Sequence, residues 1–157
     1  MNKVIIFCAA YLYLVVIIGF GMAWINTIKN RKIQFIVMTI VAGIIAYILS
    51  LIASRLYFDP RPFVIEHVKP LIAHAADNGF PSDHALLTMT LTATTYFFNK
   101  RVALGMLSLS IIIGIARVLA KIHSPIDIGA GWLIGIIGAV ASYYIVGYVW
   151  TKFASEK

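Results

Sequence analysis

The chain has 157 residues, 61% of them hydrophobic and only 12% charged, with a mean hydropathy of +0.92. Globular domains carry roughly 25% charged residues, so an ordinary soluble domain is excluded and a single polytopic membrane domain over residues 1–157 fits. The formal charge of +7 is scattered through short polar segments with no basic face, which argues against a nucleic-acid partner and for anionic lipid head groups.

Uncharged runs cover Val4–Ile28, Ile33–Ser54, Ala85–Asn99, Val102–Ala116 and Ile128–Thr151. A helix needs about 20 residues to cross a hydrocarbon core, so the first, second and fifth runs span unaided. The first exceeds a signal-peptide core and is followed by no small-residue cleavage site, so it reads as a retained span. Cys8 lies within it, is the only cysteine, and reads as inert packing. The third and fourth runs span only if they extend to Ser82 and Ile122, which puts His84 and Arg117 inside the helix ends. The third run also carries Thr88, Thr90, Thr92, Thr94 and Thr95, which predicts a helix at the bundle centre with its hydroxyls bonded to neighbours. Gly131 and Gly135, four apart in the last run, predict close helix contact. The expected architecture is all-α: about five transmembrane helices in a bundle, with an active site at one membrane interface.

Five spans put Arg55, Ser82, Arg117 and Asp127 on one face. All four histidines and five of the six acids share that face. The opposite face holds Lys29, Arg31, Lys32, Lys100, Arg101, Lys152 and Lys157, which by the positive-inside rule makes it cytoplasmic and the chemistry extracytoplasmic. Between Arg55 and Pro81 lies one long loop. There Val64, Val68, Leu71, Ile72 and Ala75 recur at helical spacing, predicting a short interfacial helix interrupted at Pro70. It is either a lid or lipid guide over the site, or a connector packed on the rim.

The chemistry-bearing residues cluster at these ends. Pro81-Ser82 opens a helix, so Ser82 is a natural N-cap and the amides after it are free to bind an anion. A plain cap is the competing reading, and one geometry serves both. Arg61 and Arg117 present planar, permanently charged forks that match phosphate oxygens. A surface Arg-Pro turn and a snorkelling helix-end arginine are their bland alternatives. His123 and Asp127 stand four apart, suited to an imidazole nucleophile oriented by a carboxylate. Asp127 also completes a Ser124-Pro125-Ile126-Asp127 capping box. His84 is placed to protonate a leaving oxygen. No histidine or carboxylate spacing suits a metal.

In order, Arg61-Pro62, Pro81-Ser82-x-His84 and Arg117-x5-His123-x3-Asp127 resemble the three-part signature of the type 2 phosphatidic acid phosphatase superfamily. The stretch from Leu56 to Val64, and His74-Ala75-Ala76-Asp77 followed by Phe80-Pro81-Ser82-Asp83-His84, is similar to bacterial undecaprenyl-diphosphate phosphatases of the bacitracin-resistance type. That resemblance covers roughly residues 33 to 150. It implies His123 as nucleophile, Asp127 as its orienting partner and His84 as general acid. Arg61, Arg117 and the Ser82-Asp83 region would bind the phosphoryl group. It implies no metal or other cofactor. The implied reaction turns undecaprenyl diphosphate into undecaprenyl phosphate through a phosphohistidine, at the outer side of a bacterial inner membrane, with bacitracin resistance as a result. Phosphatidic acid, phosphatidylglycerol phosphate and lipid A are alternative substrates. A non-catalytic lipid binder or transporter is the alternative of another class.

Three positions depart from the family pattern. Ser54 stands where a lysine is usual, with Arg55 one residue closer and able to substitute for it. Ala116 replaces a serine before Arg117. Asp83 replaces a glycine, and its carboxylate is expected to turn toward Arg55, Lys69 or solvent.

Overall fold

Each long apolar run becomes a helix, because backbone polar groups in a hydrocarbon layer must bond within their own segment. The computed structural model describes residues 2–155, so Glu156 and Lys157 of the charge tally lie outside the described residues. The helices are α1 (Asn2–Ala10), α2 (Tyr13–Ile25), α3 (Lys32–Leu56), α4 (Pro62–Ile65), α5 (Asp83–Tyr96), α6 (Lys100–Leu119) and α7 (Pro125–Ser155). Among the described residues, α3, α6 and α7 are each long and apolar enough to cross a membrane. The pair α1–α2 makes a fourth if its 43° bend is spanned as one segment. The fifth rod, α5, has 14 residues and measures about 21 Å at 1.5 Å per residue. The bundle is that of a multi-pass membrane protein.

The long span predicted over Val4–Ile28 is therefore bent and ends at Ile25. At the bend the ladder tightens, with Leu14 N–H donating to Tyr11 and Val15 N–H to Leu12. The Ala9 carbonyl at this break instead accepts from Arg117 Nη1 at 3.0 Å. A side chain inserted into the helical ladder is a recognised cause of a sharp kink.

On α3 the buried residues Phe35, Met38, Ala42, Ala46 and Ser50 form one stripe, while Ile40, Ile44, Ile48 and Ile52 face outward. In lipid, large outward-facing aliphatic side chains are in their preferred solvent. The helix α5 sits at the centre, packed by α2, α3, α6 and α7, and its threonines are buried as expected. Their hydroxyls differ from the prediction. Thr90, Thr92, Thr94 and Thr95 bond back to carbonyls of their own helix, and only Thr88 reaches a neighbour, Ser110 on α6, at 2.8 Å.

Close packing of α7 rests on glycine, as the sequence predicts. A Cβ at Gly131 would lie 2.7 Å from the Ser82 carbonyl, and one at Gly135 would lie 2.9 Å from Thr90 N. Gly138 does the same against α3, 2.7 Å from the Ala42 carbonyl. The interfacial helix is shorter than predicted, only Pro62–Ile65. It stops because His67 adopts a left-handed φ of 53° and Pro70 offers no N–H. Leu71 N–H then pairs with the Ala120 carbonyl, pinning the loop to the end of α6.

Replacing Gly135 by leucine should lower stability by about 1–3 kcal/mol, because the obstructing atoms are backbone. Gly105→Ala, where nothing lies within 4 Å, should be neutral or raise the midpoint slightly. Thermal unfolding in detergent checks both, and an unchanged Gly135→Leu midpoint would contradict this account of α5–α7 packing.

Candidate active site

Asp127 occupies the first turn of α7, fully buried. Its Oδ2 accepts from Ser124 N–H at 2.9 Å, and its own N–H donates to Ser124 Oγ at 3.2 Å, so the predicted capping box forms. The same Oδ2 lies 3.1 Å from His123 Nδ1. Capping and catalytic readings of Asp127 are thus one geometry. Its carbonyl also accepts from Ser82 N–H at 3.1 Å, tying the start of α7 to the start of α5.

The other ring nitrogen of His123 faces two cations. Arg117 Nη2 is 3.1 Å from Nε2 and Arg61 Nη1 is 3.4 Å away. Guanidinium groups only donate, so Nε2 must present its lone pair, and the ring proton belongs on Nδ1 toward Asp127. The tautomer is therefore assigned by its neighbours. Burial lowers the His123 pKa most, and Arg117 and Arg61 lower it further, while the Asp127 bond pushes the other way. The net result favours a neutral imidazole with Nε2 bare.

Arg61 and Arg117 are both buried, excluding the surface reading of each. Arg61 spends much of its fork on the protein. Its Nε donates to Asp77 at 2.7 Å, Nη1 to the Ile122 carbonyl at 2.8 Å and Nη2 to the Asn78 carbonyl at 3.5 Å. Arg117 keeps more in reserve, since its buried Nε makes no hydrogen bond among the described residues. Ser82 takes the N-cap position of α5, yet its buried hydroxyl makes no cap bond and has no partner among the described residues. Two buried donors and the first amides of α5 therefore remain to be matched by acceptors, which is how a helix N-terminus receives an anion. The buried charges Arg61 and Arg117 outnumber Asp127, so an anion restores balance.

His84 lies in the first turn of α5, half-buried, its ring edge-on to Tyr13 at 5.0 Å. Its electrostatic neighbours are Arg117, His123 and His74. Asp83 is exposed, with no ion pair to Arg55 or Lys69 among the described residues. Asp83 is among the residues lining an apolar groove of about 520 Å3 between α3 and α5, with Gly43, Ala46, Tyr47 and Leu86. At the first position of α5, Asp83 can serve the phosphate role predicted for it through its backbone amide. Arg55, in the last turn of α3, is exposed and makes no bond to the cluster among the described residues. Ala116 is buried and has no hydroxyl to offer. Among the described residues, no three His, Cys, Asp or Glu side chains gather to share a metal ion.

Several supporting residues escaped the sequence reading. Asn78 uses its whole side chain to fold the loop, accepting from Asp59 and Phe80 N–H and donating to the Ser54 and Tyr57 carbonyls, all at 3.0 to 3.1 Å. Asp59 takes the Ser124 hydroxyl at 2.6 Å. Asp77 is an exposed acid whose bond to Arg61 holds its carboxyl below the ordinary range. Gly79 is needed because a Cβ there would come 2.8 Å from Asp127 Oδ2. In the sequence, Asp59 and Asp77 stood only within the stretches that carry the family resemblance, and the Asn78-Gly79 turn dipeptide was the signal that could have marked the rest.

Residues 31–151 match the PAP2 superfamily. The chain belongs to that superfamily. It is 32% identical over 146 residues to the bacitracin transport permease protein BcrC of Bacillus licheniformis, covering 92% of this chain and 71% of the relative. It is 26% identical over 157 residues to the undecaprenyl-diphosphatase BcrC of Bacillus subtilis, covering 98% and 75%. Aquifex aeolicus LpxE has the same fold, with a TM-score of 0.67 at 19% identity over 90% of this chain and 93% of that one. The PAP2 match includes every site residue named above, from Arg55 to Asp127.

Because Arg117 lowers the His123 pKa, Arg117→Leu should move the His123 titration upward, toward the ordinary imidazole range. The ring resonances of isotopically labelled histidine, assigned by loss in His123→Ala, follow this directly. A midpoint that stays put or falls would contradict the guanidinium's role at Nε2.

Proposed function

We propose that this PAP2 chain is a membrane lipid-diphosphate phosphatase that converts undecaprenyl diphosphate to undecaprenyl phosphate. The observation that carries the reading is the bare Nε2 of His123, held between two guanidiniums and oriented from behind by Asp127. The printed name of the Bacillus subtilis relative, an undecaprenyl-diphosphatase, supports the substrate. The apolar groove that Asp83 helps to line, one residue from Ser82, suits a long hydrocarbon chain attached to a headgroup in the site.

The chemistry proceeds by two displacements. His123 Nε2 attacks the terminal phosphorus, and the bond from that phosphorus to the bridging oxygen breaks. Lipid monophosphate leaves with the electron pair, and His84 supplies a proton to the departing oxygen. Asp127 stabilises the His123 ring as its Nε2 becomes substituted and cationic. Water then attacks the phosphohistidine, giving its proton to His84, the phosphorus–nitrogen bond breaks and inorganic phosphate is released. Arg61, Arg117, Ser82 and the first amides of α5 offset the charge on the transferring oxygens. Fixed cations do this work, so no metal or other cofactor is invoked.

The outer face of a bacterial inner membrane is the proposed location. Arg31, Lys32 and Lys100 lie at the other end of the bundle, over the rings of Phe98, Trp24 and Tyr96 at 4.8, 5.3 and 5.5 Å. Basic residues interleaved with aromatic ones suit a cytoplasmic interface. Recycling of a cell-wall lipid carrier, and with it bacitracin resistance, follows from the reaction proposed.

The word permease in the Bacillus licheniformis relative's name favours a second reading, a transporter. Transport sites tend to lie at the midplane on broken helices, whereas this cluster lies where α5, α6 and α7 begin or end.

Phosphate release by purified protein in detergent with EDTA separates these readings. Undecaprenyl diphosphate should be cleaved in preference to phosphatidic acid, and His123→Ala should lose at least roughly a thousandfold. Preference for phosphatidic acid would move the substrate, and release unaffected by His123→Ala would remove the nucleophile.

A further inference from the structure

His74 belongs to none of the three motifs, yet the loop carries it onto the reacting group. Its ring stands edge-on to that of His123, with centroids 6.2 Å apart and planes at 71°. Three residues later Asp77 grips Arg61, and the next residue, Asn78, locks the loop to the end of α3. His74 is thus held over the site by two bonded neighbours. It is exposed, while Arg61, Arg117, Ser82 and His123 are all buried.

The donor arrangement shows what the outer side requires. The inner wall offers Arg117 Nε, the Ser82 hydroxyl and the free amides of α5. Arg61 commits its Nε to Asp77 and one N–H of each terminal nitrogen to the Ile122 and Asn78 carbonyls, which leaves it fewer free donors than Arg117. A phosphoryl group has three non-bridging oxygens, and the exposed imidazole at position 74, beside the His123 ring, is placed to donate to one turned toward water. Because His74 packs on the ring of the nucleophile, it lies on the attacking side. It therefore addresses the transferring group, while the leaving oxygen falls to His84.

We propose that His74 is a further phosphate-contacting residue of this site, donating from its ring N–H to a water-facing non-bridging oxygen of the transferring phosphoryl group. This rests on the phosphatase reading above and deepens it. Burial on its inner side, then Arg61 and Arg117, lower the His74 pKa; the Ala73 carbonyl opposes them and His123 adds a smaller lowering. Asp77 and His84 also lie within its electrostatic reach, and Asp127 faces it through His123. A dianion entering between these groups offsets both guanidiniums and reverses the cationic part of that lowering. His74 then takes a proton from solvent as the anion binds. Headgroup affinity should accordingly rise as pH falls through the imidazole range.

Sulfate is the probe, a tetrahedral dianion that does not itself titrate between about pH 6 and pH 8, where imidazole does. Calorimetric titration of the full chain in detergent would compare wild type, His74→Ala and His74→Phe at several pH values. Both variants should bind sulfate about tenfold more weakly at the acid end, with a flatter pH dependence than wild type. Phenylalanine keeps the ring packing on His123, so it separates contact from packing and guards against misfolding of the alanine variant. Wild-type affinity in either variant, or a pH dependence as steep as wild type's in both, would overturn the proposal. Sulfate binding needs no turnover, so this result can fail while lipid-diphosphate hydrolysis stands, and the reverse.

Discussion

Two guanidinium groups converge on one imidazole nitrogen, and most of the surrounding architecture serves to keep them there. Arg117 and Arg61 both donate toward His123 Nε2. Placed side by side in a low-dielectric layer, such cations repel each other and are costly to bury. Each is therefore anchored at its far end by oxygen. The Ala9 carbonyl at the α1–α2 kink holds Arg117, and Asp77 with the Ile122 carbonyl holds Arg61. The kink in the first span is thus part of the site, although no motif residue lies on it.

Asp127 is the second fixed point. One carboxylate oxygen closes the capping box with Ser124 and orients His123, while the Asp127 carbonyl receives Ser82 N–H. The starts of α5 and α7 are consequently held in one register, and Gly131 and Gly135 let their axes approach closely enough for it. Ser82 is left with a hydroxyl that has no partner among the described residues and a set of helix-terminal amides. This is why the chemistry sits at helix ends, where unpaired amides exist, and away from the middle of the bundle.

Residue type and spacing made the candidate site residues legible. Arg61, Ser82, His84, Arg117, His123 and Asp127 stand out because an apolar chain places charge and imidazole nowhere else in such order. Counting helix length correctly put His84 and Arg117 inside their helices. What stayed hidden depends on contacts between distant segments. The bend at Tyr11 and Leu12 follows from an arginine more than a hundred residues away, as Arg117 to Ala9 spans 108 positions. Beyond the single turn of α4, the loop from Tyr57 to Ser82 is irregular despite its apolar spacing, because side-chain bonds from Asn78 and Asp77 replace regular structure there. Apolar spacing alone overstated its helix, since it does not register the left-handed turn at His67. Threonine hydroxyls were assigned to neighbouring helices, yet in a dry interior their own i−4 carbonyls are nearer.

The central claim is that His123 Nε2 attacks phosphorus before water does. The stereochemical course at the terminal phosphorus tests it most directly. With a lipid diphosphate made chiral at that phosphorus by oxygen isotopes and sulfur, two in-line displacements must return the original configuration in the released thiophosphate. Retention is the result this account predicts. Inversion would mean a single attack by water, and would contradict a covalent role for His123.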